Sequence, residues 1–173
     1  VNLKGLVSVL LLGIVPAAAA AQGQSTTTAV TAQVPGGPLT FLNVQDLDFA
    51  IVTRGVPKTV VRNTAAAGKV RVAGTANAFV QIRFTLPAQL PNIQAAPGVN
   101  MPISFSGTDG GWNRDSDSPT GGTAFDPALG DDGRFGPPPR PYLWVYLGGT
   151  VAPSGAQAAG IYQGSIILTI TYL

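Results

Sequence analysis

Between Ala78 and Leu86 the chain shows its best alternation, with Val80, Ile82, Phe84 and Leu86 on one parity and Gln81, Arg83 and Thr85 on the other. Successive side chains of an extended strand point to opposite faces, so this pattern fixes a strand with one buried and one solvated side. The period of two recurs in Lys69-Val-Arg-Val-Ala73, in the row Met101, Ile103 and Phe105, and in Tyr142 to Leu147. It recurs again over 161–172, where Ile166, Leu168, Ile170 and Tyr172 alternate with Ile167, Thr169 and Thr171. Leu47-Asp-Phe-Ala-Ile-Val52 and Thr59-Val-Val-Arg62 add two short apolar stretches. No segment after the N-terminal apolar run carries a helical period. Roughly seven to nine strands of this kind predict an all-β fold, an Ig-like two-sheet β-sandwich.

Composition points the same way. Gly and Pro account for 37 of 173 residues, which suits many strands joined by turns. Charged residues are 10%, against about 25% in a typical soluble domain, and every acid is Asp. Without Glu, and with few Lys or Arg, the chain lacks the usual covering of exposed helix faces.

The same counts exclude chemistry. There is no His and no Cys, so Ser-His-Asp and Cys-His sites, ordinary zinc sites and disulfides are all ruled out. Ser104, Ser106, Ser116, Ser118, Ser154 and Ser165 have no base beside them in sequence, and Lys58 and Lys69 read as outward strand residues. The chain is expected not to be an enzyme. The net charge is +2 with no polybasic run, which removes nucleic acid as a partner.

The first 21 residues read as a secretory signal: Lys4, an apolar run from Leu6 to Val15, then Pro16 and Ala17 to Ala21. The run is shorter than the ~20 residues of a membrane-spanning helix. Cleavage after Ala21 is expected, leaving no stable membrane span and a secreted or cell-surface bacterial protein. The mature chain then divides into an N-terminal extension, 22–38, and a sandwich domain, 39–173. Within that domain, 107–141 reads as a long insertion holding eight Gly, six Pro and six of the eight Asp.

Three features of the mature chain are candidates for binding. Asp109, Asp115, Asp117, Asp126, Asp131 and Asp132 crowd the insertion, and hard oxygen ligands in a Gly-rich loop suit Ca²⁺. Asp is equally a standard turn residue, and no cofactor is otherwise implied. If Leu143, Val145 and Leu147 face the core, Tyr142, Trp144 and Tyr146 face away from it. Those rings form either an interface for other surface proteins or glycans, or a surface that the insertion covers.

The third feature is Ser25 to Val34, uncharged and β-prone, bounded by Pro35-Gly36-Gly37-Pro38. An exposed strand of this kind is an aggregation liability unless it is paired. It pairs within its own domain, or with another copy by strand addition through Thr26, Thr28, Val30, Ala32 and Val34. The second arrangement is heterologous and grows into a filament when it does not close.

Several stretches together resemble a known family. They are Leu47-Asp-Phe49 with Gly55, Gly74 to Ile82, Met101-Pro-Ile-Ser-Phe105, Leu143 to Val151, and Ala159-Gly-Ile-Tyr-Gln-Gly-Ser165 leading into Leu168-Thr-Ile-Thr-Tyr172. They resemble a family of uncharacterised bacterial secreted domains, similar in turn to spore coat protein U and to the subunits of archaic chaperone–usher pili. The Gly-x-Tyr-x-Gly step is the most specific element. The resemblance spans about 40–106 and 142–173 and leaves out the insertion. It implies an Ig-like sandwich, export, and a structural surface role without catalytic residues. In the pilus relatives an N-terminal extension completes the neighbouring subunit's sandwich, and Thr26 to Val34 occupies that place in this sequence.

Overall fold

The computed structural model describes residues 36–94, 99–114 and 116–173. The expected signal segment, the extension through Pro35 and Asp115 therefore lie outside the described residues, and with them the strand candidates Thr26, Thr28, Val30, Ala32 and Val34.

The described residues form an all-β sandwich with no helix. The strands are β1 (Thr40–Gln45), β2 (Lys58–Val60), β3 (Gly68–Ala73), β4 (Phe79–Thr85), β5 (Gln89–Pro91) and β6 (Asn100–Ser104). They continue with β7 (Gly110–Asn113), β8 (Thr123–Phe125), β9 (Asp131–Arg134), β10 (Tyr142–Leu147), β11 (Gly149–Val151) and β12 (Ile167–Tyr172). Three hydrogen-bonded sheets make up its layers, ordered β1-β3-β10-β7-β8, β12-β4-β9 and β2-β11-β6-β5. All of the pairings are antiparallel.

Register turns the sequence alternation into two cores. In the first sheet Leu143 lies opposite Val72, and Val145 lies opposite Val70 on one side and Trp112 on the other. In the second, Ile170 lies opposite Ile82, and Tyr172 opposite Val80. These inward faces meet in an upper cluster of Val72, Val80, Ile82, Phe125, Phe135, Leu143, Val145 and Ile170. Gly148 interrupts the β10–β11 run and carries it into the third sheet. There Val60, Leu90, Met101, Ile103 and Val151 form a lower cluster with Phe49 and Ala67.

The upper end of the molecule is clasped around Thr75. Its backbone N–H donates to Tyr172 Oη at 2.9 Å, and its Oγ1 accepts from the Gly37 N–H at 2.7 Å. Gly36 lies flat against the Tyr172 ring, where any Cβ would overlap it. From this clasp β1 descends, while β12 ascends towards it.

Two expectations change in the structure. The 107–141 segment is not a loop: it supplies β7, β8 and β9, and Phe125 and Phe135 are buried in the upper cluster. Its strands escaped notice because they are three or four residues long and carry glycine where alternation would show a side chain. Those glycines make room for neighbours: a Cβ on Gly110 would come 2.9 Å from Phe125, and one on Gly133 would come 2.8 Å from Ile82 Cδ1. The second change concerns Leu47 to Val52, an apolar stretch that folds as a turn rather than a strand. Asp48 Oδ1 accepts the Ala50 N–H at 2.7 Å, and Ala50 takes a left-handed φ of 49°. This turn buries Phe49 and leaves Ile51 89% exposed. The first strand is instead Thr40–Gln45, whose apolar residues fall on both faces and so hide its period.

Candidate functional site

The two flanks of the sandwich differ. On one, β7, β8 and β9 close the gap between sheets. Trp112 Nε1 donates to Asp131 Oδ2 at 2.8 Å, and Phe84 stacks on Phe125 with centroids 6.2 Å apart. On the other flank β1 is the edge of the first sheet and β12 the edge of the second, and no described strand lies between them. An open groove of about 1090 Å³ runs there.

The groove is floored by core-facing residues. Val70, Phe84, Val145 and Leu168 line it beside the upper cluster, and Leu90, Met101 and Ile103 beside the lower one. Val70, Phe84 and Leu168 are only half-buried, whereas their same-face neighbours Val72, Ile82 and Ile170 are buried. Phe41, on the inward face of β1 opposite Val72, is 47% exposed at the rim. Among the described residues the groove therefore combines a partly exposed apolar floor with two sheet edges that no further described strand pairs.

The described aspartates of the insertion are not gathered together. Asp109 is buried and accepts the Ser106 N–H at 2.6 Å. Asp126 Oδ1 accepts the Ala128 N–H, shaping a turn that ends at Gly130 with a φ of 76°. Asp131 holds Trp112, and Asp132 is exposed on β9. Asp117 pairs with Lys69 at 2.9 Å and accepts from Tyr146 Oη at 3.2 Å. Among the described residues no three acidic side chains stand close enough to hold a metal ion.

Tyr142, Trp144 and Tyr146 do share the outer face of the first sheet, as alternation predicts. The insertion covers one of them, since Tyr146 is 0% exposed while Tyr142 and Trp144 are half-buried. Burial, then the nearby Asp117 charge and the hydrogen bond to it, hold the Tyr146 hydroxyl well above its ordinary pKa. Arg71 lies 4.6 Å from the Tyr142 ring centroid and 5.8 Å from that of Trp144, and Lys69 lies 5.9 Å from that of Tyr146. The outer face is thus a cation–aromatic ladder whose rings already have partners. Arg62 pins the insertion down, with Nη1 donating to Pro119 O.

Sequence reasoning read Phe84, Leu168 and Val70 as ordinary core residues, took Ile51 only as part of an apolar stretch and passed over Phe41. A signal for them exists: the inward parity of β12 and β4 is fully apolar, yet the strand that would cover its outer edge is missing from 39–173. No protein-family model and no curated protein matches the chain.

Proposed function

We propose that this chain is a non-enzymatic structural subunit of a bacterial extracellular filament or surface assembly. In this reading the groove between β1 and β12 receives residues 25–34 of a second copy as an added strand. The observation that carries it is the pairing of two sheet edges, free among the described residues, with a groove floored by Val70, Phe84, Leu90, Met101 and Leu168.

The physical logic is that of completing a fold. A strand laid in the groove finds unpaired backbone along its sides, each net hydrogen bond contributing about 0.5–1.5 kcal/mol. Its alternate side chains Thr26, Thr28, Val30, Ala32 and Val34 turn towards the floor and remove it from water, at about 25 cal/mol per Å² of apolar surface. No disulfide is available to lock the joint, since the chain has no Cys. The joint relies on packing and backbone pairing alone. The resemblance to spore coat protein U and archaic pilus subunits, and the secretory signal, agree with this reading.

The test is electron microscopy of the mature protein beside a denaturing gel run with and without boiling, for the full chain and for a variant lacking 22–34. Filaments with a ladder that collapses on boiling, both absent from the truncated protein, are the expected result. A full chain that runs as a monomer in both assays overturns the reading.

A further inference from the structure

The end of the molecule opposite the Thr75 clasp exposes a set of large aliphatic side chains. Ile51 is 89% exposed, Ile93 58%, Val56 54% and Ile161 54%. Ile51 and Ile161 stand on the two walls of the groove at its lower mouth, and Ile93 donates its N–H to the Ile161 carbonyl at 2.9 Å. Ile51 is presented deliberately. Its neighbour Ala50 is held left-handed by Asp48, and Lys58 Nζ donates to the Ile51 carbonyl at 2.9 Å. A non-glycine residue kept at positive φ costs free energy and persists where the surroundings require it.

We infer that this lower end, centred on Ile51 and Ile161, is an interface for a second copy of the chain, and that it meets that copy's upper end around Gly36 to Thr40. The inference rests on the strand-addition reading and follows from chain length. Gly36 is seated on Tyr172 of its own domain. Val34, the last residue of the added strand, is two residues away from it, so the two Cα atoms are at most about 7 Å apart. Whichever end of the groove releases Val34 is therefore pressed against the donor's upper end.

Direction decides which end that is. A strand running parallel to β12 releases Val34 at the upper end, beside the acceptor's own clasp. That arrangement closes on itself, as a fold-back within one chain or as a two-fold pair, and leaves Ile51, Val56 and Ile161 in water. A strand running antiparallel to β12 releases Val34 at the lower mouth and brings the donor's upper end onto these residues. Repetition of that contact is head-to-tail and open-ended. Only the antiparallel arrangement accounts for an apolar end facing outward.

The absence of cysteine makes the contact directly testable. Pro38→Cys combined with Ile51→Cys, and separately Thr40→Cys combined with Ile161→Cys, are made in the mature chain, oxidised after assembly and boiled without reductant. The expected result is a ladder that survives boiling and collapses with reductant in at least one double variant, and no ladder from any single variant. Dimers from Pro38→Cys alone overturn the inference in favour of a two-fold pair. A boiling-sensitive ladder in both double variants with no covalent ladder overturns the end-to-end contact while leaving strand addition intact. A wild-type chain with no boiling-sensitive ladder overturns both. Should one double variant fail to fold, shown by a lost thermal transition, the other pair decides.

Discussion

Trp112 on β7 donates its indole N–H to Asp131 Oδ2 on β9 at 2.8 Å, and this bond crosses from the first sheet to the second. It sits on the flank built by the insertion, so the most idiosyncratic part of the sequence seals one side of the sandwich. Hydrogen bonds to an ionised partner are worth about 1.5–3 kcal/mol. Trp112→Phe keeps an aromatic ring but frees a half-buried carboxylate that partly rehydrates. A loss of about 1–2 kcal/mol in urea unfolding is expected, and Asp131→Asn should lose less because its amide oxygen still accepts. Equal stability of Trp112→Phe and wild type would show that the bond contributes nothing.

Core and groove positions should respond in opposite ways. Leu143 is fully buried, and Leu143→Ala should destabilise the monomer by about 2–5 kcal/mol. Leu168 is half-buried at the groove, so Leu168→Lys should leave a cooperative thermal transition yet abolish the boiling-sensitive ladder. A Leu168→Lys protein that still forms the ladder would separate the groove from assembly.

Tyr146 should make stability depend on alkaline pH. Its folded pKa is raised, so the folded state retains the proton where the unfolded chain, with an ordinary pKa near 10, loses it. Its contribution is therefore complete below about pH 10 and declines as pH rises further. Tyr146→Phe cannot ionise and should show a flatter stability profile above about pH 10. Parallel profiles for the two proteins would contradict this assignment.

An added peptide should stabilise the truncated protein. For a chain lacking 22–34, a synthetic peptide of residues 25–34 should raise the melting temperature with concentration. Mass action gives about 2.7 kcal/mol at one hundred times Kd. A peptide with Val30 and Val34 changed to Asp should give no rise. Equal effects from both peptides would mean that side-chain burial in the groove is not what binds.

Calcium offers a further check. Of the described candidates, Asp109, Asp117 and Asp131 are held by neighbouring protein groups and Asp132 is exposed on β9. Millimolar Ca²⁺ should leave the melting temperature where a chelator leaves it. A rise with Ca²⁺ would point to a site that includes Asp115.

Alternation made the long strands legible. Val80, Ile82 and Phe84 face inward as the pattern requires, as do Leu143 and Val145, because a two-residue period translates directly into a face. The strands of the insertion were illegible for the opposite reason. Gly110, Gly111 and Gly133 are strand residues selected for closeness to a neighbour, and local patterns read glycine as a turn. The groove was half legible. A strand-prone N-terminal segment could be read from Ser25 to Val34, but the partly covered state of Phe84 and Leu168 depends on which strand lies at each sheet edge. That is a property of topology, which no local window contains.

The clasp at the upper end has a mechanical consequence. Gly36 is seated on Tyr172, Gly37 is tied to Thr75, and the chain passes directly into β1, which pairs with β3 at five registered positions. A pull on the chain ahead of Gly36 is thus aligned with the strand axis. Tension in that direction loads the β1–β3 hydrogen bonds side by side, so they must yield together as a shear rather than one after another as a peel. Such a domain resists a pull along the β1 axis better than traction applied across it.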